Sequence, residues 1–308
     1  MSNTYKPESA TDIAVGNWID KFIPALLRPY CRLARLDRPI GTWLLLLPCW
    51  WGVALASSTS TDLTWSDPYL LLLFAVGSLV MRGAGCTWND IVDRELDALV
   101  KRTATRPLPS GAVSVRSATV FLFILVLLGF TVLIQLNTYS IMLGIAAIIL
   151  VIIYPFMKRV TFWPQAFLGL TFNWGALVGW TAVKGELSWP PLMLYAAGIA
   201  WTLGYDTIYA HQDKIDDMQI GIKSSAIKLG ALTKPLLWLF YGSAILLLTI
   251  LGTAFKFSLI YAGILVVVAC GFIWQIISVY LNDARDCLAK FQMNKWVGLL
   301  VFVGLELT

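Results

Sequence analysis

The sequence predicts an all-α membrane protein of about nine transmembrane helices with a cytoplasmic N-terminus, and three observations predict it. Of the 308 residues, 58% are hydrophobic and only 13% charged, whereas a water-soluble domain carries about a quarter charged residues. Apolar stretches long enough to cross about 30 Å of hydrocarbon recur along the chain. The 23 Lys and Arg residues fall almost wholly on alternate loops, with only Lys184 and Lys256 on the opposite side. The positive-inside rule makes the crowded side cytoplasmic. That distribution accounts for the net charge of +5 without a nucleic-acid partner.

Residues 1–38 mix charge with short apolar patches and lack the long apolar core of a secretory signal. They read as a tail followed by an amphipathic surface helix near Trp18 to Leu36. Residues 39–308 form one polytopic domain, with spans expected near 39–57, 68–88, 114–135, 139–157, 162–183, 190–210, 233–254, 257–281 and 295–308. The last is short, as in a chain that runs further. The five cysteines, Cys31, Cys49, Cys86, Cys270 and Cys287, have no C-x-x-C spacing and read as reduced packing residues.

The second span runs into GAGCTWNDIVDRELDALVKRTATRPLP. Asn89, Asp93 and Asp97 recur at i, i+4 and i+8, which places them on one helical stripe, and Asp90 flanks it. Stacked like charges repel by about 0.2–0.5 kcal/mol per pair, and more at the edge of a low-dielectric bilayer. A cation that offsets them is therefore expected, and oxygen-only donors favour Mg²⁺. The sixth span runs into GYDTIYAHQDKIDDMQIGIKSSAIKLG, where Asp206, Tyr209, Asp213 and Asp217 step by three, four and four along one expected helical face. Two such faces meeting across a cavity would suit a pair of Mg²⁺ ions, which keep substrate phosphates among their ligands.

Basic residues accompany each acidic cluster. Lys101, Arg102 and Arg106 follow the first, and Lys223 and Lys228 follow the second. Tyr154 and Lys158 stand one helical turn apart at the end of the fourth span. Carboxylates, Mg²⁺ and Lys or Arg together bind and activate a diphosphate. A positive-inside loop is also basic, but topology alone asks for no acid stripe. Neither a phosphate-binding Gly-rich loop nor a dinucleotide fingerprint is present, so nucleotide hydrolysis has no support. The lone His211 reads as structural rather than as a general base.

These motifs resemble the UbiA superfamily of intramembrane prenyltransferases. NDIVDRELD is similar to that family's N-D-x-x-D-x-x-x-D signature, QDKIDD holds a second D-x-x-x-D at Asp213 and Asp217, and YPFMK matches Y-x-x-x-K. From about Leu33 onward the chain is similar to the bacterial branch that prenylates 4-hydroxybenzoate in ubiquinone biosynthesis. The resemblance implies nine helices around a lipid-open cavity in the bacterial inner membrane, with the active site facing the cytoplasm. It also implies Mg²⁺, a long-chain polyprenyl diphosphate and 4-hydroxybenzoate. Metal and diphosphate would sit on Asn89, Asp90, Asp93, Asp97, Asp206, Asp213 and Asp217, with Asp93, Asp97, Asp213 and Asp217 catalytic. Tyr154, Lys158, Lys101, Arg102, Arg106, Tyr209 and Lys223 would serve the diphosphate. Arg38 is the candidate for the acceptor's carboxylate, with Arg35 its rival. Asn173 touches the phenol or else joins two helices. Another acceptor in the same superfamily and a cation-coupled transporter are the competing readings; transporter acids usually lie on broken helices at the midplane, whereas these lie at helix ends.

Overall fold

The computed structural model describes residues 13, 16–60, 65–100 and 102–308. Every regular element among the described residues is helical. The chain divides into two compact units, residues 1–39 with 80–128, and residues 40–79 with 129–308.

The first unit opens with two short helices, α1 (Trp18–Phe22) and α2 (Arg28–Leu33). A single surface helix over Trp18 to Leu36 was expected, and the prolines explain the difference. Pro24 follows the extended Ile23 that ends α1, and Pro29 occupies the first turn of α2, where its missing N–H costs nothing. Asn17 starts α1 by accepting the Ile19 amide at 3.0 Å. Leu33, Leu108, Val113 and Ala118 form the core of this unit, flanked by Tyr30, Ile91 and Phe121.

In the second unit α3 (Ile40–Ser58) is the most enclosed span, 72% buried, and it lies against α7 (Pro164–Lys184). Their backbones approach closely because glycines line the seam. A Cβ on Gly52 would stand 2.3 Å from the Ala176 carbonyl oxygen, and one on Gly179 would stand 2.2 Å from that of Cys49. Small residues at the contact are how helices gain packing in lipid, where burying an apolar face against a partner gains little. The remaining long helices are α4 (Pro68–Leu99), which supplies residues to both units, α5 (Val115–Leu133), α6 (Thr138–Val160) and α8 (Trp189–Ala210). After the short α9 (Lys214–Ile220) and α10 (Ser225–Leu229) come α11 (Thr233–Ala254), α12 (Leu259–Ser278) and α13 (Ala284–Glu306). Only 17% and 11% of α5 and α6 are buried although both are strongly apolar, so they are lipid-facing.

Among the described residues, seven helices are long and apolar enough to cross a membrane. The expected nine also included α8 and α13, which have the length but carry more polarity. That polarity is internal. Trp201 on α8 donates to Asn294 on α13 at 2.8 Å, while Asn294 and Tyr241 on α11 both donate to Gln275 on α12, at 3.2 and 3.0 Å. Four helices are thus joined through one buried polar group of side chains. The last span also starts earlier than its apolar run suggested, because Asp283 caps α13 through the amides of Arg285 and Asp286.

Gly52→Val should drive a side chain into the α7 backbone and destabilise the protein by about 3 kcal/mol or more. Gly242→Ala, where nothing lies within 4 Å of an added Cβ, should leave the unfolding midpoint in detergent unchanged or higher.

Candidate active site

Helix α4 continues without a break to Leu99, so Asn89, Asp93 and Asp97 do share one stripe. Asp90 and Asp93 are 0% exposed and Asp97 is 7% exposed. Arg94 and Glu95, on the other side of the helix, are exposed and pair with each other at 2.8 Å. A merely solvated helix end would show the opposite pattern, with its carboxylates in water.

Buried carboxylates require countercharge, and two arginines from outside the helix supply it. Arg35 reaches both oxygens of Asp90 through Nη2, at 2.7 and 2.9 Å. Arg106 donates to Asp97 at 2.8 Å and stands 3.5 Å from Asp90. The chain brings Arg106 back in one tight reversal. Thr103 Oγ1 donates to the Asp97 carbonyl at 2.8 Å, the Ala104 amide to Val100 at 2.9 Å, and the Arg106 amide to Thr103 at 2.9 Å. Arg35 arrives differently. The Leu36 amide bonds the Cys31 carbonyl at 3.0 Å and the Arg35 amide bonds that of Arg32 at 3.1 Å, the pair of bonds that closes a helix with a left-handed residue. Glycine usually fills that slot, yet here Arg35 holds φ 58°, at a cost of about 1–2 kcal/mol. Its bidentate bond to Asp90 offsets that strain, and removing one partner of such a buried pair costs about 3–5 kcal/mol.

In the second unit the expected single face through Asp206, Tyr209, Asp213 and Asp217 is interrupted. Helix α8 ends at Ala210, its last turn tightened by His211 and Gln212 amides bonding Ile208 and Tyr209, at 3.1 and 3.0 Å. Asp213 then stands at the N-cap of α9, with Asp216 and Asp217 in its first turn, where carboxylates favour a new helix start. Asp206 and Tyr209 therefore belong to α8, and Asp213 and Asp217 to α9. Burial, with Lys214 nearby, pushes His211 down to about 4, so its imidazole is neutral at pH 7. Its Nε2 lies 3.1 Å from Thr233 Oγ1, as the structural reading expects.

Tyr154 and Lys158 lie one turn apart on α6. The chain after α9 is tied to that helix end. The Lys223 amide donates to the Lys158 carbonyl at 2.9 Å, and Lys223 Nζ donates to the Val160 carbonyl at 3.0 Å. Lys223 thus satisfies the C-terminal end of α6. Just beyond, the Ser225 amide meets Gln165 Oε1 at 3.3 Å and Ser225 Oγ lies 3.0 Å from Thr207 Oγ1.

Asn173 is fully buried. Its Nδ2 donates to the Gly169 carbonyl at 2.9 Å and to Thr202 Oγ1 at 2.8 Å, and its Oδ1 packs over Gly198. Its amide nitrogen thus joins α7 to α8, while Oδ1 is buried without a hydrogen-bond partner. Arg38 and Arg102 are half-buried, and Arg38 lies 3.4 Å from Asp37. Lys101 lies outside the described residues.

The donors fit Mg²⁺ in kind. Among the described residues no three His, Cys, Asp or Glu side chains gather into a ready-made metal cage. Mg²⁺ does not ask for one, because it is commonly held by one or two carboxylates together with substrate phosphates.

Residues 45–298 match the UbiA prenyltransferase family. The chain belongs to this family, and it is a multi-pass membrane protein. It is 47% identical to a mitochondrial 4-hydroxybenzoate polyprenyltransferase of Arabidopsis thaliana, over 95% of this chain and 71% of that one. A protein of the same name from Rattus norvegicus is 49% identical, over 92% and 75%. Among solved structures, the apo form of a UbiA homolog from Aeropyrum pernix K1 superposes with a TM-score of 0.73 at 25% identity, covering 85% of this chain and 96% of that one. A UbiA homolog from Archaeoglobus fulgidus bound to GPP and Mg²⁺ gives 0.63 at 17% identity, covering 89% and 99%, and shares the fold.

Asn173→Ala should lower stability by about 1–3 kcal/mol, because Thr202 and Gly169 lose a buried partner. Thermal unfolding in detergent reads that loss.

Proposed function

We propose that this protein is a Mg²⁺-dependent 4-hydroxybenzoate polyprenyltransferase, which joins a long-chain polyprenyl group to the ring in a membrane step of ubiquinone biosynthesis. The observation that carries the reading is the buried carboxylate stripe of α4 with Arg106 lying across it. An anionic helix face with basic side chains at hand suits a metal–diphosphate better than a bare cation. The names of the relatives supply the acceptor.

In this reading Asn89, Asp93 and Asp97 on α4 hold Mg²⁺ and the diphosphate, and Asp213 and Asp217 are the metal ligands of the second acidic segment. When bound, Mg²⁺ neutralises the leaving group and so favours its departure. Arg102, Arg106, Lys158 and the Tyr154 hydroxyl grip diphosphate oxygens and stabilise the charge that grows there as the C1–O bond breaks. Arg38 takes the acceptor's carboxylate, since its rival Arg35 already holds Asp90. That grip aims the ring carbon ortho to the phenol at C1 of the isoprenyl group. The ring carbon forms the new C–C bond with its own π electrons, then loses its proton and regains aromaticity. The apolar surroundings keep water from the allylic cation. Our reading places the protein in a bacterial inner membrane with this chemistry at the cytoplasmic face, following the placement of Lys and Arg.

Product analysis after incubating membranes with 4-hydroxybenzoate, Mg²⁺ and a series of prenyl diphosphates tests the assignment. Prenylated 4-hydroxybenzoate is the expected product, and prenylation only of a different acceptor rejects it. Asp93→Asn and Asp213→Asn should each lower turnover by at least about a hundredfold. Arg38→Ala should raise the KM for the aromatic acid by about tenfold or more while that for the prenyl diphosphate stays unchanged.

A further inference from the structure

Four charged side chains alternate in sign through one buried array. Arg35 holds both oxygens of Asp90, Asp90 stands 3.5 Å from Arg106, and Arg106 donates to Asp97 at 2.8 Å. Asp90 is fully buried and faces two guanidinium groups, so its charge is already matched. Asp90 is wholly enclosed and both of its oxygens accept from Arg35, which leaves it less open to an ion than Asp97. Asp97 differs, because Arg106 meets it from a long side chain that a cation can displace. Arg35 reaches Asp90 from the left-handed residue that closes α2.

We propose that Asp90 is a positioning residue rather than a metal ligand. Clamped by Arg35, it steers Arg106, which lies between Asp90 and Asp97 and is thereby held where diphosphate oxygens would meet it. Arg35 is therefore part of the same device, although it touches no substrate. This inference rests on the diphosphate reading above. It separates two neighbouring acids that a shared motif would treat alike.

The test compares Asp90→Asn, Asp97→Asn, Arg106→Gln and the double variant Arg35→Gly/Asp90→Asn in purified full-length protein. Three quantities are read: the Mg²⁺ concentration for half-maximal activity, the KM for prenyl diphosphate, and the Mg²⁺-dependent thermal shift with inorganic pyrophosphate. Asp97→Asn should raise the Mg²⁺ requirement about tenfold or more and suppress the thermal shift. Asp90→Asn should leave the Mg²⁺ requirement within about twofold and raise the KM for prenyl diphosphate about tenfold, as a displaced clamp does. Arg106→Gln should raise that KM by a similar factor, since Asp90 acts through it. The double variant guards against misfolding, because it removes both buried charges and puts glycine in the strained slot. It should unfold at close to the wild-type temperature and keep the raised KM. The proposal is overturned if Asp90→Asn shifts the Mg²⁺ requirement as Asp97→Asn does, or if the double variant recovers the wild-type KM. If Asp97→Asn itself leaves the Mg²⁺ requirement untouched, the diphosphate reading fails instead.

Discussion

Carboxylates withdrawn from water must be matched by charge, and the site region of this protein is organised around that constraint. Asp90, Asp93 and Asp97 lie in the interior on one side of α4, where an unmatched anion would be prohibitively desolvated. Arg35 comes from the end of α2 and Arg106 from the reversal after α4. The turn after α4 delivers Arg106, and the left-handed residue at the end of α2 delivers Arg35. A substrate carrying both metal and phosphate speaks to each half of such an array at once.

The surrounding helices are held by different means. Lipid gives no gain for burying an apolar face against a neighbour, so α3 and α7 meet through glycines and four other helices meet through Trp201, Asn294, Gln275 and Tyr241. Polar side chains within spans are here internal fastenings, which is why α8 and α13 look weak as spans by composition alone.

Much of this was legible in the sequence. The spacing of Asn89, Asp93 and Asp97 is a property of one continuous helix, and α4 runs straight through it. The second acidic segment kept the same spacing but folded as two helices, with Asp216 and Asp217 in the first turn of the second, where carboxylates are favoured. Periodicity does not distinguish these. The single amphipathic helix failed at Pro24 for a related reason, since a hydrophobic pattern can outlast the backbone that carries it. The Arg35–Asp90 pair, 55 residues apart in the chain, had no local signature at all. Only a left-handed residue in a glycine slot marks it, and that is visible in the backbone and not in the letters.

The two acidic segments also differ in how firmly their carbonyl–amide ladders are built. Asp93 and Asp97 ride on a helix of 32 residues, while Asp213 and Asp217 ride on one of seven, closed by Gly221 in a left-handed conformation. A seven-residue helix lies well below the length that sustains itself in water, so α9 belongs to the low end of local stability. One set of carboxylates is thereby presented ready-made. The other can reshape around whatever it meets, an accommodation that a continuous α8 would have forbidden.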